Sequence, residues 1–285
     1  MNLRKFIPIK RFRNPPPVVG VLRLDGVIGS MGPLRRGLTL GAQAEAIEEA
    51  FTLGRVEAVA LVINSPGGSP VQSALIAKRI RDLAEEHDVK VFAFAEDVAA
   101  SGGYWLACAA DEIYAQDSSI IGSIGVVSSG FGFPELIKKW GIERRVHTAG
   151  DQKAILDPFQ PEKRADVKRL KELQADIHDD FKQMVVSRRG ERLQAGGKNL
   201  FNGEFWTGKR ALSFGLIDGI GDLRAVMREK FGDQVKIKLI SERKPWWKKS
   251  SGNGVSTLGT WAPVDWAGGL IAAVEERLYW NRFGL

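Results

Sequence analysis

"VEAVALVIN", residues 56–64, runs straight into "SPGGS", residues 65–69. A nearly continuous apolar run reads as a strand covered on both faces, as a parallel sheet requires. Pro-Gly-Gly then breaks it in a turn. The same figure recurs. "VKVFAFA", 89–95, is a second buried strand, and "AASGG", 99–103, follows it. Between them, "VQSALIAKRIRDLAEEH", 71–87, carries Leu75, Ile76, Ile80 and Leu83 at helical spacing. Upstream, "VVGVLRLDGVIG", 18–29, reads as a strand with a turn near Gly26, and "TLGAQAEAIEEAFTLG", 39–54, as a helix that stops at Gly54. Strands alternating with helices over residues 18–150 predict an α/β fold on a mostly parallel sheet with flanking helices. Sites in such sheets form at the strand carboxyl ends. The two glycine-rich breaks are therefore expected at one edge of the sheet.

Further along, "EIYAQ" and "SIIGSIGVVSS" read as short extended segments, "PELIKKW", 134–140, as a short helix and "IERRVHTAG", 142–150, as a strand. Residues 162–190 form a long charged amphipathic helix, two more helices follow, and "QVKIKLI", 234–240, is a last strand. The expected organisation is a basic tail over 1–17, one folded domain over 18–240, and a basic, Trp-rich linker with an amphipathic C-terminal segment over 241–285.

The chain has 285 residues, 44% of them hydrophobic, enough for a sizeable core. Its single cysteine, Cys108, excludes an internal disulfide and fits a reducing compartment. Cys108 lies in an apolar run and reads as a buried small hydrophobe. Net charge is +7, gathered at the ends: residues 1–17 hold basic residues and no acid, and "ERKPWWKK", 242–249, sets basic residues beside two tryptophans. Such ends suit an anionic surface, membrane or nucleic acid, and equally a solvated tail. No apolar stretch of ~7–15 residues follows the positive N-terminus, so no signal peptide is expected. No apolar run reaches ~18 residues, so no membrane-spanning helix is expected either. The segment 266–285 suits a membrane surface or a partner. The expected location is cytoplasmic, with peripheral contact at the inner face of a membrane. No Cys/His cluster has metal-ligand spacing and no phosphate loop is present, so no metal or cofactor is expected.

Ser101, between Ala99-Ala100 and Gly102-Gly103, opens a helix. Free N–H groups and the helix dipole at that point favour developing negative charge. The Gly102 N–H and one N–H of "SPGG" together suit a tetrahedral oxyanion. Taken singly, a serine starting a helix is an N-cap and Pro-Gly-Gly is a turn. A nucleophilic serine also needs a base. Of the histidines, His87 and His178 read as solvated and His147 is the credible base. Lys153 is the alternative, because a desolvated lysine serves when its pKa falls towards neutrality.

"LVINSPGGSP", "AEDVAASGGYWLACAADEIYAQDSSIIGSIGVV", "HTAGDQKAILDPF" and "FNGEFWTGKRALSFGLIDGIG" occur in this order. Together they resemble the signal peptide peptidase A family of serine peptidases, which includes the protein C and SohB-like peptidases and shares a fold with Clp protease and crotonase. The resemblance runs from about Val18 to Val226. It implies a Clp protease/crotonase-like fold, Ser101 as nucleophile, Lys153 as base and Ser123 as the serine that orients the lysine. It places the oxyanion hole at the N–H groups of Gly68 and Gly102. It implies cleavage of signal-peptide remnants or other short or unfolded chains, no cofactor, no nucleic-acid partner, and a ring-like homo-oligomer built from separate subunits. Two other classes are weighed against it: a crotonase-like acyl-CoA enzyme, using the same paired N–H donors, and a non-catalytic scaffold binding membrane or nucleic acid through the basic ends.

Overall fold

The computed structural model describes residues 16–30, 37–150, 152–194, 196, 198–240 and 266–285. The basic stretches at 1–15 and 242–249 and the linker at 250–260 lie outside the described residues.

The sheet is built from β1 (Val18–Asp25), β2 (Val56–Ser65), β3 (Lys90–Ala100), β4 (Glu112–Ala115), β5 (Ile120–Gly122), β6 (Phe205–Thr207), β7 (Gly219–Ile220) and β8 (Lys236–Leu239). The order is β6-β5-β3-β2-β1-β8, with β4 paired to both β3 and β7. Every pairing is parallel except β5 with β6. Side chains alternate along each strand, so both faces of β2 are buried. Val59, Leu61 and Ile63 enter the main core, and Ala58, Ala60 and Val62 enter a smaller cluster on the other face. The continuous apolar run of 56–64 is explained by this double burial.

Helices cover both faces. The main core takes α1 (Leu40–Thr52), α2 (Pro70–His87), α3 (Gly102–Ala107) and the buried stripe of α5 (Arg164–Arg189). Thr39 and Ser69 cap α1 and α2 with their side-chain oxygens. The opposite cluster takes Val226 and Met227 of α7 (Leu223–Phe231). A short α4 (Pro134–Lys139), α6 (Gly208–Ser213) and the C-terminal α8 (Trp266–Asn281) complete the α-helices of the described residues, and a 3-10 turn (Gly190–Arg192) follows α5. None of these is long and apolar enough to cross a membrane.

β3 forks, and the fork organises the molecule. Its first half pairs with β4 (Phe92↔Glu112 to Ala95↔Ala115) and its second half with β5 (Val98↔Ile120 to Ala100↔Gly122). Ser65 of β2 stands opposite Ala99. The carboxyl ends of β2, β3 and β5 therefore finish side by side, and the segments leaving them begin at Pro66, Ser101 and Ser123.

One expected element is absent. Residues 142–150 form no strand and are exposed. Alternating side chains alone do not make a strand, because its backbone groups need a partner ladder, and among the described residues none pairs with this segment. Segment 126–150 carries apolar side chains in the open, with Phe131 75% and Trp140 73% exposed.

Candidate active site

Ser101 lies between the end of β3 and the start of α3. Its N–H donates to the Gly122 carbonyl at 2.8 Å, and its carbonyl accepts from the Trp105 N–H at 3.0 Å. These bonds hold it at φ +53°, ψ −122°. A non-glycine residue at positive φ costs about 1–3 kcal/mol and persists only where its surroundings impose it. A strained serine on a sharp strand-to-helix turn is a known way to present a nucleophile. The hydroxyl makes no capping hydrogen bond to α3. Ser101 thus holds the N-cap position of α3 without the side-chain bond that a capping serine usually makes.

The small residues around it serve close packing. A Cβ on Gly103 would lie 2.4 Å from the Ser65 carbonyl oxygen, and one on Gly102 would lie 2.4 Å from Ser73 Oγ and 3.4 Å from the Gly68 nitrogen. Gly68 is at φ +143°, and a Cβ there would lie 2.0 Å from the Ile28 carbonyl oxygen. That loop is locked from both sides. The Ile28 N–H donates to Gly67 and the Ser69 N–H donates to Ile28, each at 2.8 Å. Among the described residues, neither the Gly68 N–H nor the Gly102 N–H donates to a protein acceptor. Two free donors from different loops therefore sit together beside Ser101.

A cavity of about 800 Å³ opens over this corner, within the usual range for ligand sites. Ser101, Gly68, Gly102 and Ser123 all line it. Ser123 is buried, also at positive φ (+53°), and its N–H donates to the Glu204 carbonyl at 2.7 Å. Four of the five residues singled out in the sequence thus come together. The fifth does not. Lys153 is exposed, in the turn that follows Gly150, and is not part of the cavity wall. His147 is likewise exposed and outside the wall.

From its charged helix, His178 is expected to be solvated. The structure corrects this: His178 lines the cavity beside Ile177 and Phe181, and its Nε2 is buried without a hydrogen-bond partner. The signal lay in the spacing, since 178, 181 and 185 follow one helical face and Phe181 and Val185 are buried. Asn202, Tyr279 and Arg282 also line the cavity and were not anticipated.

The long helix that carries His178 is anchored firmly. Buried Arg189 bonds both carboxylate oxygens of Asp218, at 2.7 and 3.1 Å, and the Gly215 carbonyl. Burial would push the Asp218 carboxyl up, but the Arg189 bond and the Ile113 N–H outweigh it and hold it below the usual range. Tyr104 of α3 donates its hydroxyl to the Leu216 carbonyl at 2.7 Å. Cys108 is fully buried, and burial pushes its thiol up to about 12, so the sole cysteine is inert packing, as the sequence suggests.

Comparison with known proteins bears on this corner. The family model described as peptidase family S49 matches residues 84–237, more than half of the chain. A Synechocystis protein named as a candidate protease is 33% identical over 231 residues, covering 78% of this chain and 79% of its own. The chloroplastic serine protease SPPA of Arabidopsis thaliana is 30% identical over 240 residues, 80% of this chain and 35% of its own. A Brucella abortus protein named Na(+)/H(+) antiporter NhaA is 52% identical over 289 residues, covering 99% of this chain. The chain spans only 39% of that relative's length.

Proposed function

This chain belongs to peptidase family S49, and from that premise we propose that it is a serine endopeptidase working through a Ser101–Lys153 dyad. The observation that carries the reading is Ser101 itself: a strained serine whose hydroxyl is not spent on a cap, beside two free N–H donors. Ser101 Oγ attacks the carbonyl carbon of a peptide bond while neutral Lys153 takes its proton. The oxyanion receives the Gly68 and Gly102 N–H groups. Collapse expels the amine, which takes the proton back from Lys153 and leaves an ester on Ser101. Water, deprotonated by the same lysine, hydrolyses that ester and regenerates the serine. Ser123 orients the lysine from the wall of the cavity.

Lys153 is completed into the site by assembly. It is exposed and not part of the cavity wall, and the segment that precedes it in the chain carries exposed apolar side chains that include Phe131 and Trp140. Exposed apolar surface of this kind marks an interaction site. In a homo-oligomer, Lys153 of a neighbouring copy reaches Ser101, and the interface strips water from the amine. Short or unfolded polypeptides, such as signal-peptide remnants, fit a cavity with an apolar wall of Trp105, Ile177 and Phe181. The antiporter name of the Brucella relative belongs to a longer chain, and transport is not part of this proposal.

Mixing inactive Ser101→Ala protein with inactive Lys153→Ala protein tests the arrangement. Recovery of peptide hydrolysis after subunit exchange supports a dyad shared between copies. No recovery, with mixed oligomers demonstrated by mass, overturns the shared dyad.

A further inference from the structure

We propose that His178 is a specificity-determining residue and that the wall it belongs to receives a tyrosine side chain of the polypeptide substrate. This rests on the peptidase reading of Ser101. On α5, His178 sits beside Ile177 and one turn before Phe181, and all three line the Ser101 cavity. Phe181 stacks on Trp105 with ring centroids 4.8 Å apart and planes 25° apart. The wall therefore combines two stacked, largely buried aromatic side chains with one imidazole.

That imidazole has an unmet need. Its Nε2 is sealed from water and has no hydrogen-bond partner. A buried polar atom left unsatisfied is destabilising, and native proteins keep few such atoms without a use. Tyr279 of α8 lines the same cavity and leaves the nitrogen unmet. The histidine ring has broad freedom about χ2, so a modest turn presents Nε2 to an occupant.

The chemistry of the gap narrows the occupant. Neutral imidazole offers Nε2 as an acceptor in one tautomer and as a donor in the other. A phenolic hydroxyl both donates and accepts, so it satisfies either. Leucine or phenylalanine would fill the wall but leave the nitrogen unpaired. Lysine or a carboxylate would bring a charge against apolar rings, at a desolvation cost. Tyrosine presents an apolar ring to Trp105 and Phe181 and a polar tip to His178.

The test uses peptide pairs differing only in Tyr against Phe, scanned through the positions around the scissile bond. kcat/KM of the parent is expected to favour Tyr at one position by at least about tenfold, because a site built for a hydroxyl rejects the analogue lacking it. His178→Phe is expected to bring that ratio to within about twofold of one, and His178→Gln, which keeps a donor and an acceptor, to retain part of it. A merely structural role would slow both peptides equally and leave the ratio intact. Equal ratios in parent and His178→Phe, or no Tyr preference at any position, overturn the proposal. The dissociation constants of the same peptides are measured on Ser101→Ala protein with and without His178→Phe. A Tyr preference in binding that depends on His178, together with a parent protein that hydrolyses none of these peptides, would sink the peptidase reading and keep the subsite. Hydrolysis without the preference does the reverse.

Discussion

Gly68→Ala is the substitution on which the oxyanion argument turns. The added Cβ would lie 2.0 Å from the Ile28 carbonyl oxygen and 2.9 Å from the Ile28 nitrogen. Neither atom is a flexible side-chain end, and both are tied into the bonds joining Ile28 to Gly67 and Ser69. The loop must therefore move. Holding alanine at φ +143° costs about 1–3 kcal/mol of backbone strain. Losing the two Ile28 bonds adds about 0.5–1.5 kcal/mol each. A displaced Gly68 N–H no longer meets the oxyanion, and loss of one such donor costs ~2.7–4 kcal/mol, or about 10²–10³ in rate. Gly26→Ala is the matched control. Gly26 is also at positive φ, +97°, but a Cβ there meets nothing within 4 Å. It should lose stability from backbone strain alone and keep its turnover. The assay is kcat on a fluorogenic peptide with thermal melts of both variants. A folded Gly68→Ala protein within about threefold of parental kcat, where about 10²–10³ is expected, would refute the placement of the donor. So would an equal loss in Gly26→Ala.

The anchoring of the site gives two further expectations. Arg189→Met leaves the Asp218 carboxylate poorly compensated and should cost about 3–5 kcal/mol at neutral pH in a denaturant titration. Asp218 is held below its ordinary value in the fold, so the stability it contributes is complete above about pH 3.9 and is lost as pH falls through its folded pKa. The Arg189→Met deficit should therefore narrow in acid, and a pH-independent deficit would contradict the ion pair. For Cys108, burial raises the thiol to about 12. Iodoacetamide at pH 9 should modify it only after unfolding, and rapid modification of the native protein would contradict the packing. The stability tied to that thiol is constant below its unfolded value of about 8.5 and declines as pH rises from there towards 12. Cys108→Ala should flatten that decline.

Much of the active corner was legible in the sequence because it depends on backbone. Buried strands announce themselves as apolar runs, and the segments leaving β2 and β3 had to share the carboxyl edge of a parallel sheet. That logic brought the SPGG turn, Ser101 and Gly102 together from residue order alone, and the family resemblance singled out Gly68 within the turn. What it could not supply was the third dimension of the flanking pieces. The alternation in 142–150 reads as a strand, yet a strand exists only where a neighbour offers a ladder, and no described residue does. Lys153 carries a sequence match but no local pattern that fixes its direction, and it lies in the open. His178 was read from the charged composition of its helix. The spacing to Phe181 and Val185 placed it instead on the inward face, and period outweighs composition in deciding which residues a helix buries.

The most direct measurement treats parent and Lys153→Ala protein with a serine-directed fluorophosphonate and maps the adduct by intact mass and peptide analysis. The account predicts one adduct, on Ser101, in the parent and its loss in Lys153→Ala. An adduct that persists without Lys153 would contradict the base. A folded, assembled parent that takes no label on Ser101 would contradict the peptidase reading itself.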